Sequence, residues 1–112
     1  MQVASARVAE GTGAFVPDAG GARWIARGRL TFGNAVSALE ASRALALPAS
    51  GEIDCGELAP VDSAAVAVLL AIKRRGIEEG RSIVFSGIGG SLHTLADLYG
   101  VEELLANASA AA

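Results

Sequence analysis

Between Glu52 and Ser86 the chain reads strand, helix, strand, an order that constrains how the two strands can share a sheet. EIDC (Glu52 to Cys55) alternates polar and apolar residues, and SIVFS (Ser82 to Ser86) is a short apolar run. Between them Val61-Asp62-Ser63 leads into AAVAVLLAIKRRGIEE, which has the length and pattern of a helix. Asp62 or Ser63 opens that helix and Gly80 closes it near the usual left-handed position. Two strands joined by a helix of this length run parallel in one sheet, because only a crossover connection spans the distance.

The flanking segments extend the pattern. GAFV (Gly13 to Val16) predicts a first strand, DAGG (Asp18 to Gly21) a turn, and ARWIARGRL (Ala22 to Leu30) the returning strand, with Trp24 its largest buried side chain. Asn34 is placed to cap a helix running to about Ala46, with Val36, Leu39 and Arg43 on one face, ended by Pro48 and Gly51. ELAP (Glu57 to Pro60) reads as a turn. After SIVFS come a turn at GIGG (Gly87 to Gly90), a third helix over SLHTLADLY (Ser91 to Tyr99), a stop at Gly100 and a last apolar turn, VEELL. The expected fold is α/β, a small sheet with packed helices in the order β-β-α-β-α-β-α. Residues 12–105 form its one domain, and 1–11 and 106–112, small and polar or alanine-rich, are expected to be loose ends.

Composition removes several function classes. Nine Lys and Arg against twelve Asp and Glu leave a net charge of −3, and aromatics make up 4% of the 112 residues. That is neither the basic stripe that neutralises nucleic-acid phosphates nor a set of stacking platforms for single strands. One cysteine, Cys55, and one histidine, His93, cannot form an internal disulfide and make a poor zinc site. Cys55 sits in an apolar alternation and is expected to be a buried reduced thiol. The first residues lack the pattern of a secretion signal, and the apolar run from Ala64 to Ile72 is too short to span a membrane. The expected setting is the cytoplasm, with no metal or cofactor.

Asp62 and Ser63 are the residues on which function turns. A serine nucleophile needs a base and a group to orient it. The single histidine lies in another helix, Asp62 adjoins Ser63, and no G-x-S-x-G elbow surrounds it. Catalysis is therefore not the reading. Capping explains one of the two residues at about 1 kcal/mol, and leaves the other for a different task.

The helix pattern suggests what that task is. Val66, Leu69, Leu70, Lys73 and Ile77 follow a helical stripe expected to face the sheet, with the Lys73 ammonium reaching to water. The opposite face begins at Ser63 and carries Ala64, Ala67, Val68 and Ala71, ending in Arg74 and Arg75. A small, apolar surface of this kind lets another chain approach closely, although an alanine-rich composition produces the same pattern. GIGGS (Gly87 to Ser91) joins a strand to a helix N-terminus, a layout that can cradle an anion, but it lacks the P-loop lysine and glycine in a tight turn is the better account of it. His93 reads as a surface residue of the third helix.

IDCGELAPVDSAAVAVLL resembles the signature of STAS domains, in which a strand ending in I-D-L-S precedes a short loop and a D-[ST]-x-G helix start. Ile53-Asp54 and Asp62-Ser63 match that spacing. SLHTLADLYGVEELL and GRLTF (Gly28 to Phe32) are similar to the MlaB-like branch of these domains. Ala65 stands where the family has Gly, and Cys55-Gly56 where it has L-S.

The resemblance implies an STAS-like fold and a non-catalytic subunit. MlaB-like domains support the ATPase (MlaF-like) of an ABC-type phospholipid transporter, which also contains a permease and a lipid-binding subunit. They sit at the cytoplasmic face of the inner membrane through that complex. The resemblance places the hydroxyl matched by Ser63 at the ATPase contact, in agreement with the apolar strip read from the helix pattern; Asp62, Ser63, Ala64, Ala67, Val68 and Ala71 are together the expected partner-binding residues. The alternative it offers is an anti-sigma factor antagonist, with Ser63 the phospho-acceptor of an anti-sigma factor kinase.

Overall fold

A computed structural model describes residues 14–105, so the expected loose ends, 1–11 and 106–112, lie outside the described residues. The elements are β1 (Phe15–Asp18), β2 (Arg23–Leu30), α1 (Ala35–Arg43), β3 (Glu52–Val61), α2 (Ser63–Glu78), β4 (Val84–Ser86), α3 (Gly90–Leu98) and α4 (Glu102–Leu105). The sheet order is β1-β2-β3-β4, antiparallel between β1 and β2 and parallel thereafter. This is the expected small mixed α/β sheet with packed helices; the last apolar turn is helical.

The sheet has two unlike faces because its side chains alternate. Trp24, Ile53 and Phe85 occupy one row of the register and are fully buried, as are Ala26 and Cys55 beside them. The helices cover this face, and Ala38, Ala65, Leu69, Ile72, Leu92 and Ala96 complete the core. The opposite face is held by charge: Arg23 reaches Asp18 at 3.2 Å and Asp54 at 3.6 Å, and the Ser86 hydroxyl donates to Glu52 at 2.8 Å. These pairs are half-exposed, so each contributes little alone.

Four expectations need correction. ELAP is not a turn: β3 continues through it to Val61, with Glu57, Leu58 and Val61 paired to β2 across two register shifts. β4 pairs only with Glu52–Asp54, so the second half of β3 is an edge on that side, where the missing N–H of Pro60 is tolerated. Asn34 does not cap α1 with its side chain. Its Oδ1 accepts from the Thr31 N–H and its Nδ2 donates to the Arg29 carbonyl, which closes the turn between β2 and α1. Helix α1 ends at Arg43, three residues early, and buries Ala38 and Ser42 while Val36 is 71% exposed.

The fourth correction concerns α2. Its deepest residues are Ala65, Leu69, Ile72 and Gly76: Leu69 is where it was expected, while Ala65, Ile72 and Gly76 each lie one position before the expected Val66, Lys73 and Ile77. One residue is roughly 100° of helix rotation. Ile77 is accordingly 68% exposed, while Val66 and Leu69 remain buried. The rotation follows from size: a Cβ on Gly76 would lie 2.4 Å from Ile83 Cγ1, so the helix approaches the β4 strand where it has no side chain. Lys73 does not reach freely into water. Its Nζ donates to the Ile83 carbonyl at 2.9 Å and lies 5.9 Å from the centre of the Phe85 ring, and desolvation lowers its pKa.

Polar side chains fasten the connections. Arg75 donates to the carbonyls of Ser42 at 3.0 Å and Leu45 at 2.8 Å, which satisfies the free C-terminal end of α1 and ties it to α2. Arg81 donates to the Pro48 and Ala49 carbonyls, and Trp24 Nε1 to the Ala46 carbonyl at 3.2 Å. Among the described residues no helix is long and apolar enough to cross a membrane.

Candidate functional site

The site is built around the start of α2. Asp62 has extended backbone, as a capping residue must, and its Oδ1 accepts the Ala64 N–H at 2.8 Å. Its Oδ2 accepts the Phe32 N–H at 3.0 Å, from the turn that precedes α1. One carboxylate thus caps a helix and fixes a loop thirty residues earlier in the chain. Ser63 is left over. It is exposed, and its hydroxyl makes no hydrogen bond among the described residues.

The fixed loop presents Phe32, 84% exposed, at the mouth of a groove between α1 and α2. The groove has a volume of about 340 Å³ and is lined by Phe32, Ala35, Val36, Leu39, Ala64, Ala67 and Val68. Every one of these side chains is apolar. Large apolar residues left in water at the rim of a concave surface mark an interaction site more often than scattered exposed ones do.

The helix face expected to meet a partner is therefore only partly a surface. Ala67 is exposed and Ala71 half-buried, but Ala64 (8%) and Val68 (3%) are buried. The rotation of α2 turns them toward α1, where they form the groove floor. At the groove, the exposed large apolar side chains are instead Phe32 and Val36, which the sequence pattern did not single out as surface. A signal was available: Phe32 sits in TFGN, a turn where a large aromatic residue has no core position to fill.

Other candidates are placed elsewhere. His93 lies on α3, and its Nε2 is 2.7 Å from Glu102 Oε2 on α4, so the imidazole is engaged there and not with Ser63. That pair borders a cavity of about 260 Å³ whose walls include Phe85, Ile88, Ala96 and Leu105. In GIGGS, Gly87 has φ +67°, and a Cβ there would sit 2.9 Å from the Gly56 nitrogen. Turn geometry and close packing explain this glycine. Cys55 is buried, and its thiol is pushed up to about 12 by desolvation and then by the neighbouring Asp54 charge. It stays protonated at neutral pH and is a packing residue, not a nucleophile.

A family model described as MlaB, STAS domain matches residues 25–106. The chain belongs to the STAS domain family. The match runs from within β2, at Ile25, past the end of α4, and includes the Asp62-Ser63 helix start and the groove residues beside it. Comparison with curated proteins finds no match. Membership makes this chain a small regulatory or interaction domain, of a family that is generally non-catalytic.

Proposed function

We propose that this STAS domain is a non-catalytic, cytoplasmic subunit that docks on the ATPase of an ABC-type phospholipid transporter. The observation that carries the reading is the apolar groove between Phe32, Val36 and Ala67 at the start of α2, where the exposed Ser63 directly precedes the lining residue Ala64. The MlaB description of the matching family supports the choice of partner. In this reading Asp62 holds the geometry, Ser63 contacts the partner at the rim, and the buried Ala64 and Val68 keep the groove shallow enough for another backbone. Attachment at the cytoplasmic face of the inner membrane then comes through the complex, which includes a permease and a lipid-binding subunit.

Co-purification with the ATPase subunit tests the proposal. Wild type co-elutes, and Ala67→Arg, which fills the groove with a charged chain, does not. Full recovery of the ATPase with Ala67→Arg would refute it.

A second reading has its own observation. The unbonded Ser63 hydroxyl at a helix N-terminus suits a phospho-acceptor, and a phosphate there would gain from the helix dipole while opposing Asp62. This is the anti-sigma factor antagonist reading, with a kinase anti-sigma factor as partner. Intact mass after incubation with such a kinase and ATP distinguishes it: an added phosphate lost in Ser63→Ala supports it, and an unchanged mass rejects it.

A further inference from the structure

At Leu39 the apolar groove adjoins a second hollow between α1 and α2. Ser42, Ala71 and Ile72 also line it, and its character differs because Arg43, Arg74 and Arg75 line it too. Arg75 is committed to the α1 carbonyls and to Glu79 at 2.9 Å. Arg43 and Arg74 are exposed and have no ion-pair partner among the described residues. The acidic group lining the same end is Glu78, which leaves the guanidinium groups in excess. Two adjoining hollows along the α1–α2 seam, sharing Leu39, are thus apolar toward the start of α2 and basic toward its end.

The spacing along their walls is helical. On α2 the lining residues Ala64, Ala67, Ala71 and Arg74 recur every three or four positions, and on α1 Val36, Leu39 and Arg43 do the same. A cleft between two such ridges accepts a third helix. From Ala64 to Arg74 the wall is roughly 15 Å long, which matches a helix of about three turns.

Resting on the docking reading above, we infer that the occupant of this cleft is a short amphipathic helix of the partner, apolar along one face and acidic at the end that lies over Arg43 and Arg74. A second copy of the chain does not fit. A two-fold interface sets each patch against itself or exchanges the two ends. The first arrangement opposes arginines, and the second buries arginines against Phe32 and Val36. Charge complementarity selects an acidic partner, fixes the direction in which its helix lies, and speeds association.

A phage-displayed library of three-turn helical peptides, selected on the intact chain, tests this independently of any ATPase. The expected binders carry apolar residues at i, i+3, i+4 and i+7 with Glu or Asp at one end, and lose binding to Ala67→Arg. Against the Arg43→Glu/Arg74→Glu variant their affinity falls about tenfold at low salt, and the difference shrinks at high salt. No selected binders, binders without acidic enrichment, or binders indifferent to Ala67→Arg would overturn the inference. The same charge-reversed variant, assayed for co-elution with the ATPase, separates the two proposals. ATPase held at full strength by that variant sinks the acidic-helix inference and leaves the docking reading standing. Acidic helices selected on a chain that retains no ATPase sink the docking reading alone.

Discussion

The carboxylate of Asp62 bonds to the backbone N–H of Phe32 across 3.0 Å, so the residue that starts α2 also sets the position of the most exposed aromatic side chain described. Helix capping and groove shape are therefore one structural event, and substituting Asp62 disturbs both. Ser63, its neighbour, takes part in neither.

Asp62→Ala is expected to cost about 1 kcal/mol for the lost cap, and a further hydrogen bond of about 1 kcal/mol through Phe32. Ser63→Ala should change stability by no more than about 0.5 kcal/mol, as surface substitutions do, while weakening partner binding. Thermal unfolding of the two variants checks the contrast; equal losses would give Ser63 a structural role.

Gly76→Ala is a second test, because helix propensity and packing point in opposite directions. Alanine is the better helix former by about 1 kcal/mol. Its Cβ would meet Ile83 Cγ1 at 2.4 Å, and overpacking of that kind costs about 1–3 kcal/mol. The net result should be destabilising. Gly51→Ala should be worse, since Gly51 has φ +82° and its Cβ would fall 2.2 Å from the Ser82 carbonyl oxygen. Denaturant midpoints rank the two.

Arg75→Ala should lower stability by about 1–3 kcal/mol, because it leaves the Ser42 and Leu45 carbonyls without their charged donor. Arg75→Lys should restore only part, since an ammonium does not reproduce the fork that reaches two carbonyls. Urea unfolding of the three proteins measures it.

Cys55 carries a pH prediction. Its thiol ionises near 9.0 when unperturbed and at about 12 in the fold, so the folded state favours the protonated form. The resulting stability is fully present below pH 9 and is lost as pH rises from about 9 to about 12. Over that range the wild type should lose more stability than Cys55→Ala. At pH 8 the thiol should react with a disulfide reagent only after denaturant is added.

Much of this architecture was legible in the sequence, for identifiable reasons. EIDC, Asp62 and Gly80 announce β3, the cap and the end of α2 through local chemistry, and the structure keeps all three. What local chemistry misled on was size. Ala65 and Gly76 join Leu69 and Ile72 in the buried face of α2 although they are small, whereas the larger Leu70, Lys73 and Ile77 drew part of the expected face one residue too far round. Pro60 read as punctuation, yet it sits on an unpaired strand edge that only tertiary pairing defines. The groove was half legible: Ala67 and Ser63 lie where the pattern put them, in the open, but Phe32 and Val36 become its rim through the packing of α1 on α2. The same packing makes Val68 unsuitable for a surface test. At 3% exposure, Val68→Glu would bury a carboxylate and unfold the domain before it informed on binding.

The docking claim is tested most directly by hydrogen–deuterium exchange of the chain alone and with the ATPase subunit. Protection is predicted in residues 31–40 and 62–71, on both walls of the groove, with the charged sheet face at Arg23 to Arg29 unchanged. Protection confined to the sheet face, with the groove exchanging as in the free chain, would contradict it.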